Sequence, residues 1–400
     1  MRTIGPVPPA ADAPATADSP AGGASWPGAE RDPRAPCLVM HTSGTTGSPR
    51  ALLQTEQALH LTTRYWRHQH RTADDVVALP IPLAHTYGHL VAAATLLAGA
   101  ALIVTPEAFD PRRWVARLAR GGATVLEGVP TVYARLLATD APDAPAVAAV
   151  AAGRLRRCLS AGQQAPAELR RSWEENTGLP LLESWGMTEL AGPGLGPLPG
   201  TCPGSAGAPV PGLEIRLVVT GHNGGDRDGM TAEPGEVGEL WVRGPQVTPG
   251  HRTGTWNLVP VCDEQGWLRT GDLGVRDEHG CVTLTGRSKD VIITHGYTVH
   301  PAEVEAELRG HPGVADVAVV GRADPERGEV PHAVVVADPG GPAVSVEELR
   351  EHCRGRLARY KVPRTVEFVR RLPVSATGKL DRAALRGPAT ATTTTMVREG

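Results

Sequence analysis

The sequence predicts an α/β protein: a large N-terminal α/β core that carries a β-rich subdomain, followed by a small α+β C-terminal domain. Three observations carry this. From Cys37 to about Val282, short apolar runs alternate with helical stretches, the pattern of strands joined by crossover helices in a largely parallel sheet. Within that span, residues 197–285 are richer in Gly and Pro turns and in strand-like runs. After the charged junction Gly286-Arg287-Ser288-Lys289-Asp290, about a hundred residues mix helical and strand patterns.

Taken in order, residues 1–34 are rich in Pro, Ala, Gly and Asp without periodicity and read as a disordered arm. The core covers 35–286. Apolar Leu38-Val39-Met40 and Ala51-Leu52-Leu53 read as two strands flanking a polar loop. Strands are expected at Val76–Leu79, Leu102–Val104, Thr124–Leu126, Cys158–Ser160 and Leu181–Glu183, and helices near Glu56–His68, Pro111–Ala119, Thr131–Leu137 and Pro166–Asn176. The β-rich part supplies Ile215–Val219, Gly238–Val242 and Cys281–Leu284. The small domain, 287–387, reads as a helix at Pro301–Leu308, strands at Val314–Val320 and Ala333–Val336, and a helix opened by the capping box Ser345-Val346-Glu347-Glu348 that runs to about Leu357. Residues 388–400 form a low-complexity, disordered tail.

Composition excludes some functions. A net charge of −3 without a basic stripe argues against nucleic acid or an anionic membrane as partner. No apolar run is long enough to span a bilayer, and no secretory pattern opens the chain. The six cysteines (Cys37, Cys158, Cys202, Cys262, Cys281, Cys353) are scattered, so neither a zinc site nor a disulfide framework is expected, and a reduced cytoplasmic setting fits. Only three of the forty basic residues are lysines, Lys289, Lys361 and Lys379. In so Arg-biased a chain, a retained lysine marks a place where a compact ammonium on a flexible stem matters.

The chemistry is concentrated in a few motifs. Thr42-Ser43-Gly44-Thr45-Thr46-Gly47 puts four hydroxyls and two glycines in six residues, ending at Arg50. Such a loop presents N–H and hydroxyl donors to a polyphosphate with no Cβ in the way, although it is not a Walker loop. Gly186-Met187-Thr188-Glu189 follows an apolar strand, at the carboxyl end where α/β ligands bind. There Thr188 offers a hydroxyl to a phosphate, Glu189 a hard oxygen to Mg2+, and Trp185 a flat face for a base. In Arg269-Thr270-Gly271-Asp272, an Asp in a tight turn can accept both hydroxyls of a ribose, and Arg287 follows fifteen residues later. Thr377-Gly378-Lys379-Leu380-Asp381-Arg382 places a lysine on a flexible turn.

This ordered set resembles the adenylate-forming superfamily of acyl- and aryl-CoA synthetases, luciferases and peptide-synthetase adenylation domains, over roughly residues 36–387. The resemblance implies that Thr42 to Gly47, with Arg50, hold the ATP phosphates and that Thr188 contacts the α-phosphate. Glu189 would bind Mg2+. Trp185 and Gly186 would lie by adenine, alongside Ser160-Ala161-Gly162. Asp272 would bind ribose with Arg287 nearby. Asp290 would be the hinge of a mobile C-terminal domain, Gly296 would line the pantetheine tunnel, and Lys379 would be the catalytic lysine of adenylation. His85, in Pro82-Leu83-Ala84-His85-Thr86-Tyr87-Gly88, would stand at the carboxylate end of an acyl pocket shared with Tyr87, Gly88, Gly186 and Met187. No aspartate for a substrate ammonium is seen near this segment. The implied reaction activates a small aromatic or short-chain carboxylic acid with ATP and passes it to CoA. A carrier-protein pantetheine or an amine is the alternative acceptor, and a non-catalytic nucleotide-binding homologue is a third reading. Two departures stand out. Arg50 replaces the loop's usual lysine, and only 41 residues precede the loop, so the pocket is expected to be more open or completed by a partner in a homodimer.

Overall fold

The computed structural model describes residues 32–42, 50–104, 109–139, 153–197, 202, 204–220, 229–253, 257–374 and 380–386. Strands β1 (Pro36–Thr42) and β2 (Arg50–Thr55) pair antiparallel, with Thr42 opposite Arg50. Helix α1 (Glu56–His70) starts where Thr55 Oγ1 accepts the Ala58 N–H at 3.1 Å.

The expected alternation follows: β3 (Val76–Ala78), α2 (Thr86–Leu97), β4 (Ala101–Ile103), α3 (Pro111–Gly121), β5 (Val125–Gly128), α4 (Pro130–Leu137), β6 (Arg157–Ala161), α5 (Ala167–Thr177), β7 (Leu181–Met187), β8 (Gly192–Gly196) and β9 (Ala208–Pro209). These strands form one sheet in the order β4-β3-β5-β6-β7-β8-β9, parallel through β7 and antiparallel beyond it. Alternate strand residues face opposite helix layers. Leu126 and Cys158 pack with Trp114, Tyr133 and Trp173 of α3, α4 and α5. Val125 and Leu159 pack with Trp66 of α1 and with Tyr87, Leu90 and Val91 of α2. Helix α2 lies where the sequence gave no helical stripe. It is apolar nearly all round and buried, so it lacks the amphipathic period that marks a surface helix.

The β-rich stretch contains β10 (Glu214–Val218), β11 (Val237–Arg243), β12 (Gly250–Thr253), β13 (Asn257–Val259), β14 (Leu268–Arg276) and β15 (Val282–Arg287). One antiparallel sheet runs β10-β11-β14-β15, and a second, β1-β2-β12-β13, takes up the N-terminal hairpin. The loop strands therefore belong to a sheet completed some two hundred residues later rather than to the parallel sheet. One face of the first sheet carries an alternating ladder, with Arg216 over Trp267 (4.2 Å) and Trp241 (4.8 Å), Arg269 over Trp241 (4.2 Å) and Arg243 over Trp267 (4.6 Å). Cys202 and Cys281 are joined as a disulfide across 79 residues, with Cα atoms 5.9 Å apart, which corrects the expectation of no such bond. Spacing could not reveal it, because the return of the chain to β15 makes the pair.

Beyond a 3-10 turn at Ser288–Asp290 come β16 (Ile292–Thr294), β17 (Tyr297–Val299), α6 (Pro301–Arg309), β18 (Val314–Asp324), β19 (Gly328–Ala337), α7 (Val346–Arg354), β20 (Thr365–Phe368) and α8 (Arg382–Arg386). The strands run β17-β16-β19-β18, with β20 parallel to β19. The Ser345 capping box forms, and α7 ends at Arg354, three residues before the expected Leu357.

His332 is fully buried in this sheet, its Nδ1 2.7 Å from Thr365 Oγ1 and its Nε2 3.5 Å from Glu367. Burial, then the Arg322 guanidinium, lowers its pKa from 6.5 to about 4. Between those values the unfolded chain binds the proton and the folded chain does not, so stability rises with pH. The expected outcome is full stability above pH 6.5, falling as the pH is lowered towards about 4. Urea melts of wild type and His332→Gln across that range check it, the variant showing the shallower slope.

Candidate functional site

The end of β7 and the 3-10 turn Thr188–Leu190 are tied to the hairpin by buried polar groups. Gln54 on β2 donates its Nε2 to the Thr188 carbonyl at 2.9 Å. Thr248 donates its N–H to the Glu189 carbonyl at 2.7 Å and its hydroxyl to the Leu53 carbonyl. The strand that leaves the hydroxyl-rich loop is thereby fixed against the Thr188-Glu189 turn. Gly186 permits the sharp return into β8, since a Cβ there would stand 2.3 Å from the Gly192 carbonyl oxygen.

Asp272 joins three of the motifs. One carboxylate oxygen accepts the Trp185 indole N–H at 2.8 Å, and the other pairs with Arg287 Nε at 2.8 Å. The Gly271 N–H is held by Glu239 Oε1 at 3.0 Å, while Trp241 Nε1 donates to the other oxygen of Glu239 at 3.2 Å. Two expectations change here. Asp272 lies within β14 beside a register irregularity, not in a tight turn. Trp185 offers no open stacking face: it is 6% exposed, packed with Leu190, Leu195 and Leu240, because the bond to Asp272 draws the indole into the core. Glu189 is half-buried, and burial raises its carboxyl pKa against the opposing pull of Arg287 and His251.

Next to this turn is a cavity of about 60 Å³, lined by Trp66, His85, Thr86, Tyr87, Leu90, Ala161, Gly162, Ser184, Gly186, Met187, Thr188, Gly192 and Pro193. It contains four of the five expected pocket residues (His85, Tyr87, Gly186 and Met187). Gly88 is not among them. It sits where a Cβ would be 2.1 Å from the Pro82 carbonyl oxygen, so it serves the close approach of α2 to the preceding loop. His85 caps α2, its Nδ1 accepting the Tyr87 N–H at 3.2 Å. Beneath the cavity, fully buried Glu127 accepts Trp66 Nε1 at 2.9 Å and the Tyr87 hydroxyl at 2.5 Å and pairs with Arg71. Burial, then the Glu127 charge, pushes the Tyr87 hydroxyl well above its usual pKa. Ser160 Oγ is buried with no partner.

Asp290 pairs with Arg386 at 2.8 Å and lies 3.9 Å from Arg382, and Arg382 also bonds Glu305 at 2.6 Å. Arg287 thus pairs with Asp272 and not with Asp290. Gly296 (φ +81°) follows His295 (φ +49°) in the two-residue turn between β16 and β17. Lys361 is engaged by Glu303 at 2.6 Å. Arg50 opens β2 and is exposed. Thr42 closes β1, whereas Ser43, Gly44, Thr45, Thr46, Gly47 and Lys379 lie outside the described residues. Among the described residues no cluster of three or more His, Cys, Asp or Glu could hold a metal, and no helix is long and apolar enough to cross a membrane.

Gln54, Thr248, Glu127 and Glu239 were not singled out by sequence. Each is a lone polar residue in an apolar context, and only its burial reveals its part. Glu127, ending the apolar run Val125-Leu126, carried the one usable hint, a carboxylate that burial would oblige to find partners.

The AMP-binding enzyme family matches residues 5–251, and the AMP-binding enzyme C-terminal domain matches residues 303–379. The chain belongs to this family of adenylate-forming enzymes. It is 37% identical to the sulfoacetate–CoA ligase of Cupriavidus necator, covering 88% of this chain and 67% of that protein. With a long-chain-fatty-acid–CoA ligase of Bacillus subtilis it shares 33% identity over 87% of this chain and 61% of that one. The crystal structure of ATP-bound MatB from Rhodopseudomonas palustris superposes with a TM-score of 0.80 at 33% identity, covering 89% of this chain and 68% of that one. The chain therefore spans about two thirds of the length of these relatives.

Gln54→Leu removes the donor that holds the Thr188 carbonyl. The expected cost is about 1–3 kcal/mol of stability, read from urea denaturation; a change below about 0.5 kcal/mol would show that this tie does not hold the turn.

Proposed function

We propose that this chain is an AMP-forming acid–CoA ligase. The observation that carries the reading is the junction at Asp272, which gathers Trp185, Arg287 and the Thr188-Glu189 turn beside a closed, mostly apolar cavity. Asp272 binds the ribose of ATP while Arg287 steadies its second oxygen. Thr188 and the loop Thr42–Gly47 with Arg50 receive the phosphates, and His85 with Gly186 orients the acid's carboxylate at the cavity mouth. Its attack on the α-phosphate gives an acyl-adenylate and pyrophosphate, with Lys379 neutralising charge that develops in the transition state. CoA thiol then displaces AMP after the C-terminal part turns about Asp290, which brings the Gly296 hairpin to the site in place of Lys379.

Mg2+ fits this site as a partner of Glu189. The carboxyl is half-buried with a raised pKa, a cost that a bound dication would reverse, and one carboxylate plus substrate phosphates is an ordinary Mg2+ environment. When bound, it would neutralise phosphate charge. CoA as acceptor is supported by the CoA-ligase names of the similar proteins.

Acid-dependent ATP–pyrophosphate exchange, followed by mass spectrometry of thioesters formed with CoA or with a holo-carrier protein, tests the proposal. Exchange with at least one carboxylic acid and a CoA thioester are expected, both lost in Lys379→Ala for the exchange step. A thioester formed only on the carrier protein would reassign the acceptor. Nucleotide binding with no exchange for any acid would contradict the reading.

A further inference from the structure

Resting on that reading, we infer that the substrate is a short aliphatic carboxylic acid and that Trp66 and Tyr87, braced by Glu127, set its length. The cavity offers about 60 Å³. A water-sized group occupies about 10–15 Å³ of such space, so roughly four to six heavy atoms fit. The carboxylate accounts for three of them, which leaves an acid of about two to four carbons. A cavity that admits benzene measures roughly 150 Å³, so an aromatic acid exceeds the space.

The floor is built to resist enlargement. Trp66 and Tyr87 line the cavity and stand edge to face, with ring centroids 6.0 Å apart. Each also donates to a different oxygen of Glu127, whose charge is met by the buried Arg71. Tilting either ring away for a longer acyl chain would strip a buried carboxylate of a donor, in a region where unpaired polar groups are costly. One wall is polar: Thr86 Oγ1 is buried, lines the cavity and has no partner, so it is set to donate to a substrate oxygen. Thr86 thereby adds a polar contact to a pocket otherwise selective by size.

The test is acid-dependent pyrophosphate exchange with acetate, propionate, butyrate, hexanoate and benzoate on the full chain. Wild type is expected to favour the two- to four-carbon acids at least tenfold in kcat/KM over hexanoate and benzoate. Trp66→Leu, and independently Leu90→Ala, which opens the same cavity without touching the Glu127 network, are expected to raise kcat/KM for hexanoate relative to propionate at least tenfold, mainly through KM. Thr86→Val is expected to raise KM for the short acids. Wild type that uses benzoate or hexanoate as well as propionate overturns the size limit and leaves the ligase reading intact; this arm decides the matter even if Trp66→Leu fails to fold. Absence of exchange with every acid, including longer ones in Leu90→Ala, overturns the ligase reading and this inference with it.

Discussion

One buried carboxylate holds the candidate site together. Asp272 receives Trp185 from the end of the parallel sheet on one oxygen and Arg287 from β15 on the other. Three segments separated by up to a hundred residues are thus joined through a single side chain. A buried carboxylate needs strong donors on both oxygens. Here those donors come from two different sheets, so satisfying the charge also fixes how β7 and β15 stand relative to β14. Glu239 extends the constraint by holding the Gly271 N–H and the Trp241 indole, which connects the irregular stretch of β14 to the Arg–Trp ladder.

A second buried carboxylate, Glu127, does for the acyl cavity what Asp272 does for the nucleotide side. Both use indole N–H donors together with an arginine, and both lie at or beside strand ends where side chains from neighbouring elements converge. The tie from Gln54 to the Thr188 carbonyl couples the hairpin of the hydroxyl-rich loop to the same turn. Phosphate, ribose and acyl positions therefore share a rigid frame, which is what an in-line attack between two anions requires of its scaffold.

Much of the fold was legible because its signals are local. Alternating apolar runs gave β3 to β7 within one to four residues at their ends, and Asp110, Pro111 and Gly122 bracket α3 as a start and stop should. Helix α2 was missed because an all-apolar helix has no stripe to read. The membership of β1 and β2 in a sheet with β12, and the Cys202–Cys281 bond, were invisible because both depend on chain segments far apart in sequence. The site was legible as a set of motifs, but the partners that place those motifs were not. Trp185 shows the difference: its residue type promised a stacking surface, and its surroundings turned it into a buried hydrogen-bond donor.

The most direct measurement of the shared-carboxylate account is a double-mutant cycle on ATP binding with Trp185→Phe, Arg287→Gln and the combined variant. If both side chains act through Asp272, each single change weakens binding and the pair is non-additive by about 0.5–3 kcal/mol. Additive losses would show that Trp185 and Arg287 act separately and that Asp272 is not the junction of the site.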